Sequence, residues 1–179
     1  MITLFTGPMY GGKTSALISS GRRYIQAEKK VLFIKNAKDI RAPDSAIMTH
    51  DEVICVAIAC ENLFSLEKET NLLEYDVLLI DEGQFFPDLT SFCVKYADLG
   101  KKVYVAALCS TFEQKGWESI NELIPKCDDI KFFKAVCKVC KCDNASKTKV
   151  NDISLIDPNK KENVGGKEKY SAVCRKCFN

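Results

Sequence analysis

The chain has 179 residues, 46% apolar and 28% charged, with a net charge of +2, which describes one globular domain, or one domain with a small appendage. No apolar run approaches the roughly 18 residues that span a bilayer, and Met1-Ile2-Thr3-Leu4-Phe5 carries no charged segment and cleavage site of a secretory signal, so a cytoplasmic protein without a membrane partner is expected. The charge is uneven: residues 1–133 hold 15 Lys and Arg against 19 Asp and Glu, and residues 134–179 hold 11 against 5, which predicts a boundary between a nucleotide-binding domain over 1–133 and a small basic domain over 134–179.

In chain order, the first element is a buried strand over residues 2–6. It runs into Gly7-Pro8-Met9-Tyr10-Gly11-Gly12-Lys13-Thr14, which satisfies G-x-x-x-x-G-K-[ST] at every fixed position. Glycines let such a loop aim its amides at phosphate oxygens, the helix that follows adds its positive end, the lysine reaches the β- and γ-phosphates, and the hydroxyl of Thr14 serves Mg²⁺. A helix is predicted over 13–27, with Leu17, Ile18, Gly21 and Ile25 on one face. Strands follow over 31–35 and 53–58, then a helix over 62–73.

The strand predicted over 77–81 ends in Asp81-Glu82. There Asp81 would hold Mg²⁺, directly or through water, and Glu82 could take a proton from an attacking hydroxyl. A helix over 88–98 begins at Asp88 as N-cap and stops at Gly100. A last strand is read over 103–108. Strand–helix alternation implies a parallel α/β sheet of the P-loop NTPase kind, with ligands at the carboxyl ends of its strands.

Ten cysteines in a chain without a secretory signal argue for metal ligation in a reducing compartment. Cys137-x-x-Cys140 and Cys174-x-x-Cys177 supply four thiolates for one tetrahedral, structural Zn²⁺, in preference to free thiols or a redox pair. The 33 residues between the pairs exceed the usual ~15–20, so a zinc ribbon carrying a long loop over 151–169 is expected. Cys55, Cys60, Cys93, Cys109, Cys127 and Cys142 are read as ordinary thiols, with Cys142 a spare thiol close enough to the first pair to compete with it.

These motifs, with Lys38-Asp39-Ile40-Arg41, Thr49-His50-Asp51, Asp81-Glu82-Gly83-Gln84-Phe85-Phe86, Ala106-Ala107-Leu108, Thr111-Phe112 and Gly165-Gly166-x-x-x-Tyr170, resemble the thymidine kinase family of the cellular and poxvirus type over nearly the whole length. The resemblance implies transfer of the γ-phosphoryl of ATP to the 5′-hydroxyl of thymidine and deoxyuridine. It implies Glu82 as base, Arg41 and Lys13 beside the transferred group, and Gln84 among the nucleotide contacts. It implies a base pocket of Met9, Asp39, Phe85, Leu108, Phe112, Trp117 and Thr148, beneath a lasso loop of Val164, Gly165, Gly166 and Tyr170. A homotetramer and feedback by dTTP are implied as well.

The chain departs from the family pattern at Ile40, at Cys109-Ser110 in place of Asp-Gly, and in a one-residue shift of Thr148. His50, the sole histidine, is read as structural. A nucleic-acid partner is not expected: the basic tail offers only Tyr170 and Phe178 for stacking on bases.

Overall fold

The computed structural model describes residues 1–38, 46–48, 54–157, 163 and 165–179. Asp39, Ile40, Arg41, Thr49, His50, Asp51 and Val164, named above, lie outside the described residues. Six parallel strands form the central sheet: β1 (Ile2–Gly7), β2 (Val31–Asn36), β5 (Ile58–Cys60), β6 (Val77–Ile80), β7 (Lys102–Leu108) and β8 (Asp129–Phe132), in the order β5-β2-β6-β7-β1-β8. Two further ladders are antiparallel, β3 (Ala46–Met48) with β4 (Ile54–Val56), and β9 (Lys147–Val150) with β10 (Tyr170–Val173).

Alternation along the inner strands divides the core in two, because successive side chains leave a strand on opposite faces. Leu4, Leu32, Ile34, Leu78, Ile80, Val103 and Val105 pack with Leu89, Phe92 and Leu123, bringing α2 (Leu89–Asp98) and α3 (Glu118–Leu123) onto one face. Phe5, Phe33, Leu79, Tyr104 and Ala106 pack with Leu17 and Ile18 of α1 (Lys13–Gln26) on the other. Each fully buried Leu or Ile contributes about 1.5–3 kcal/mol by leaving water, and the two layers hold the strand ends in register.

Gly21 lets α1 lie close to the sheet, since a Cβ there would stand 2.3 Å from Cζ of Phe33. Gly21→Ala is therefore expected to cost about 1–3 kcal/mol through overpacking. Urea unfolding measures it, and an unchanged midpoint would contradict the close packing. Gly100, in the left-handed region at φ 80°, ends α2 as expected from the sequence. Asp88 stands at the N-cap of α2, but its side chain makes no cap bond there and instead accepts from the N–H of Phe64 at 3.0 Å.

Three expectations are corrected, and two elements are added. Ile25 is 49% exposed, because the buried face of α1 turns through Ser20 and Gly21 and ends at Tyr24, whose hydroxyl meets that of Tyr104 at 2.8 Å. The run 53–58 is not one strand: Ile54–Val56 pairs with β3 and Ile58–Cys60 with β2, a change of partner that an apolar run does not show. Residues 62–73 form two 3₁₀ segments, Leu63–Lys68 and Leu72–Glu74, in place of an α-helix. Leu63 and Leu66 are buried three apart, the spacing that eclipses side chains in a 3₁₀ turn, and the Asn71 side chain caps the second segment. Finally, β8 and α3 went unread. The side chains of Asp129–Phe132 are exposed at the sheet edge, so they carry no buried run, and α3 has only 6 residues.

Candidate active site

All six strands are parallel, so their carboxyl ends share one edge, where the loop after β1 meets the ends of β6 and β7. Gly7 (φ 147°) and Gly12 (φ 85°) take conformations that glycine favours. A Cβ on Gly7 would lie 2.3 Å from the carbonyl oxygen of Phe133, so the chain entering the C-terminal segment braces the back of the loop. Gly12 is the N-cap of α1, with no side-chain cap and no acidic residue in the first turn. That leaves the first amides of the helix for an anion. Nζ of Lys13 folds over the loop and donates to the Pro8 carbonyl at 2.6 Å.

The amide of Asp81 continues the β2–β6 ladder by donating to the Ile34 carbonyl at 2.9 Å, which sets its buried carboxylate beneath the loop. The Thr14 hydroxyl donates to it, with 3.1 Å to each carboxylate oxygen. This hydroxyl–carboxylate pair is the donor set of a hard divalent cation at a phosphate loop. Glu82 follows in the left-handed region at φ 52°, uncommon for a residue with a side chain, and this turn carries its carboxylate out of line with the strand. Nε2 of Gln84 donates to Oε2 of Glu82 at 2.5 Å, and Oε1 of Gln84 accepts from the N–H of Leu108 at 3.0 Å. Gln84, expected at the nucleotide, is buried and joins the candidate base to the end of β7.

A cavity opens over these groups. Met9, Tyr10, Gly12, Lys13 and Thr14 line its phosphate end, Glu82 faces it, and Phe85, Leu108, Phe112, Trp117, Thr148, Gly165 and Tyr170 line the remainder. Phe85 meets Trp117 edge-on at 5.6 Å between ring centroids, and Phe112 lies 6.2 Å from Tyr170. The N–H of Met9 donates to the Thr148 hydroxyl at 3.1 Å, so the phosphate loop and the C-terminal ladder hold one another. Gly7, Pro8, Gly11, Asp81, Gln84 and Gly166 lie outside the lining; the first four shape or support the phosphate loop from behind. The amide of Gly166 donates to Glu168 at 2.6 Å, and its carbonyl accepts from Lys169 and Tyr170.

The comparisons with known proteins decide the family. The profile of the family described as thymidine kinase matches residues 1–178. The chain is 38% identical to a thymidine kinase of rabbit fibroma virus over 99% of this chain and 95% of the relative. It is 40% identical to thymidine kinase 1 of Dictyostelium discoideum over 99% and 77%, and 39% identical to the cytosolic thymidine kinase of Gallus gallus over 99% and 76%. The chain belongs to the thymidine kinase family.

In this family member the shifted Thr148 nonetheless reaches the pocket. Lys141 takes a left-handed conformation at φ 63°, and the amide of Cys137 donates to the Cys142 carbonyl at 2.9 Å. The segment before β9 thus turns tightly on its way to the pocket. Ser15, Ser110, Thr111 and Asn163 also line the cavity and were not read as site residues. The first three adjoin motif residues, which was the available signal, whereas Asn163 sits in a polar loop without any. That loop is closed at its base by the Asn151 amide donating to the Lys169 carbonyl at 2.9 Å and by the Asn151 side chain bonding to the carbonyls of Lys167 and Glu168. Among the described residues, no helix is long and apolar enough to cross a membrane.

The cysteines meet at the far side of the β9–β10 ladder. Sulfurs of Cys137, Cys140, Cys142 and Cys174 all lie within 4.8 Å of one another, with Cys140 and Cys174 at 3.7 Å. Cys142, read as an ordinary thiol, is therefore part of the cluster, a correction that follows from the turn at Lys141. Cys177 adjoins it through contacts with Cys140, Cys174 and Cys137. Backbone N–H groups, first that of Cys140 and then that of Cys174, pull the thiol of Cys137 down to about 6, while a hydrogen bond with Cys140 pushes Cys142 up to about 11. By contrast, burial pushes Cys60 up to about 12 and Cys127 up to about 11, as expected of inert interior thiols.

Proposed function

We propose that this chain transfers the γ-phosphoryl group of ATP to the 5′-hydroxyl of thymidine, giving dTMP for nucleotide salvage. The carrying observation is that one cavity joins the phosphate loop, the Thr14–Asp81 pair, the Glu82 carboxylate and an aromatic slot. The amides at the start of α1 and the ammonium of Lys13 take the phosphates. Thr14 and Asp81 would hold Mg²⁺, which when bound neutralises charge on the phosphate oxygens. Glu82, steadied by Gln84, accepts the proton of the 5′-hydroxyl as that oxygen attacks. Arg41 and Asp39 keep the roles that the family implies, beside the transferred group and the base respectively.

Phe85, Trp117, Phe112 and Tyr170 would sandwich the base, with Met9, Leu108 and Thr148 toward its edge and the lasso of Val164 and Gly165 supplying backbone donors and acceptors, while Gly166, whose amide and carbonyl are bonded within the loop, shapes that loop. Deoxyuridine should be accepted, less well for want of the methyl. One Zn²⁺, held by Cys137, Cys140, Cys174 and Cys177, would fasten the 134–179 segment as a domain distinct from 1–133. The separate apolar clusters support that division. Inhibition by dTTP belongs to the same reading, since its base and its triphosphate would fill both ends of one cavity. Assembly as a homotetramer rests on the family alone. A cytoplasmic location is consistent with thiols kept reduced.

A panel of deoxynucleosides tests this reading. ADP release from ATP should give the highest kcat/KM with thymidine, a value lower by roughly 10–200-fold with deoxyuridine, the worth of one methyl in an apolar recess, and little turnover with deoxycytidine or deoxyguanosine. Comparable values for all four would contradict it.

A further inference from the structure

Gln84 stands two residues after the candidate base, and its bonds join that base to the walls of the nucleoside slot. The side chain is buried and bonded at both ends: Nε2 donates to Oε2 of Glu82 at 2.5 Å, and Oε1 accepts from the amide of Leu108 at 3.0 Å. These partners fix which end of the amide is which, since a carboxylate only accepts and a backbone N–H only donates. The backbone carbonyl of Gln84 accepts from the Ser119 hydroxyl at 3.2 Å.

Each bond beyond Glu82 leads to the slot. Leu108 lines it at the end of β7, Ser119 follows two residues after the lining residue Trp117, and Phe85, also lining, adjoins Gln84 in the chain. Phe85 and Trp117 touch edge-on. The turn itself has little room to shift. The Phe85 amide donates to the Glu82 carbonyl at 3.1 Å, and a Cβ on Gly83 would stand 2.5 Å from Cγ1 of Val105. The aim of the Glu82 carboxylate is therefore set by Gln84, and the place of Gln84 by Leu108, Phe85 and α3.

We propose that Gln84 is a positioning residue that couples filling of the nucleoside slot to the aim of Glu82; this rests on the phosphoryl-transfer reading given above. A nucleoside that presses on Leu108, Phe85 and Trp117 holds the Gln84 amide, and through it the base, in line with its own 5′-hydroxyl. A nucleoside that fills the slot less well leaves the carboxylate more latitude, and misplacement by about 1 Å costs on the order of 10²-fold in rate. Discrimination between acceptors then shows in kcat as well as in KM.

Two variants and a double-mutant cycle test this. Gln84→Met removes both side-chain bonds. Gln84→Glu keeps the length and still accepts from Leu108, but sets a second carboxylate against Glu82. Each should lower kcat with thymidine by roughly 10–10²-fold and leave directly measured ATP binding nearly unchanged. The excess of kcat for thymidine over deoxyuridine, expected in the unaltered chain, should shrink toward one in both. Because Gln84 acts through Glu82, adding Gln84→Met to Glu82→Gln should cost little further turnover, whereas a residue needed only for folding multiplies the loss in either background. Transfer from ATP to thymidine by the unaltered chain is measured first, and its absence would overturn the phosphoryl-transfer reading and this proposal together. With transfer present, undiminished kcat in both variants, losses that multiply in the double variant, or an unchanged thymidine-to-deoxyuridine ratio in kcat would each overturn the coupling alone.

Discussion

Glu82→Gln is expected to lower kcat by about 10²–10⁴-fold, the usual worth of a positioned base, with ATP affinity nearly unchanged. The amide keeps the size of the carboxylate and can still meet Gln84, whose Nε2 lies 2.5 Å from it, so the turn after β6 should survive. What is lost is the capacity to accept the proton of the attacking hydroxyl. Lys13, Thr14 and Asp81 are untouched, so the phosphates remain held. Lys13→Ala should show the opposite division and weaken ATP binding, because that ammonium meets the β- and γ-oxygens. Steady-state kinetics alongside direct measurement of ATP binding separates the two variants. Wild-type turnover in Glu82→Gln would send the proton to another group.

Removal of zinc is expected to unfold the C-terminal unit, and not to block a single chemical step. The apolar cluster there consists of Ala135, Cys137, Ala145, Ala172, Val173 and Cys174, side chains too small to repay the cost of ordering the segment. Structural zinc contributes on the order of 10 kcal/mol to such units. Because Tyr10 packs against this cluster and the Met9 amide bonds to Thr148, the phosphate loop should loosen as well. A strong chelator, or Cys174→Ser, should lower the melting temperature, expose residues 134–179 to limited proteolysis and weaken ATP binding. Full stability under either treatment would contradict a structural metal.

The parts of the molecule readable from sequence are those where one physical requirement dominates a short stretch. Strand β1, the phosphate loop and the start of α1 were legible because close approach to phosphate demands Gly7, Gly12 and Lys13 at set spacing. Strands β2, β6 and β7 were legible because burial on both faces demands unbroken apolar runs. Legibility failed where the outcome depends on distant partners. The run 53–58 divides between two sheets, and Asp129–Phe132 pairs with β1 at the end of the strand order. The partners of Gln84 are not readable from sequence: its amide bonds to Glu82 and to Leu108, the latter 24 residues away. Cys142 is legible as a spare thiol close to the first pair, but that its sulfur lies within 4.8 Å of three others depends on the turn at Lys141. At Thr148 the family pattern is shifted by one residue, yet the side chain lines the cavity and accepts from the Met9 amide.

Phosphoryl transfer to a nucleoside, as against hydrolysis, is the claim on which the rest depends. It is tested most directly by incubating the protein with γ-³²P-labelled ATP, Mg²⁺ and thymidine and separating the products. The arrangement of Glu82 beside the phosphate loop and the aromatic slot predicts that the label moves into dTMP, in step with ADP release and only when thymidine is present. Label recovered as inorganic phosphate, at a rate indifferent to thymidine, would contradict it.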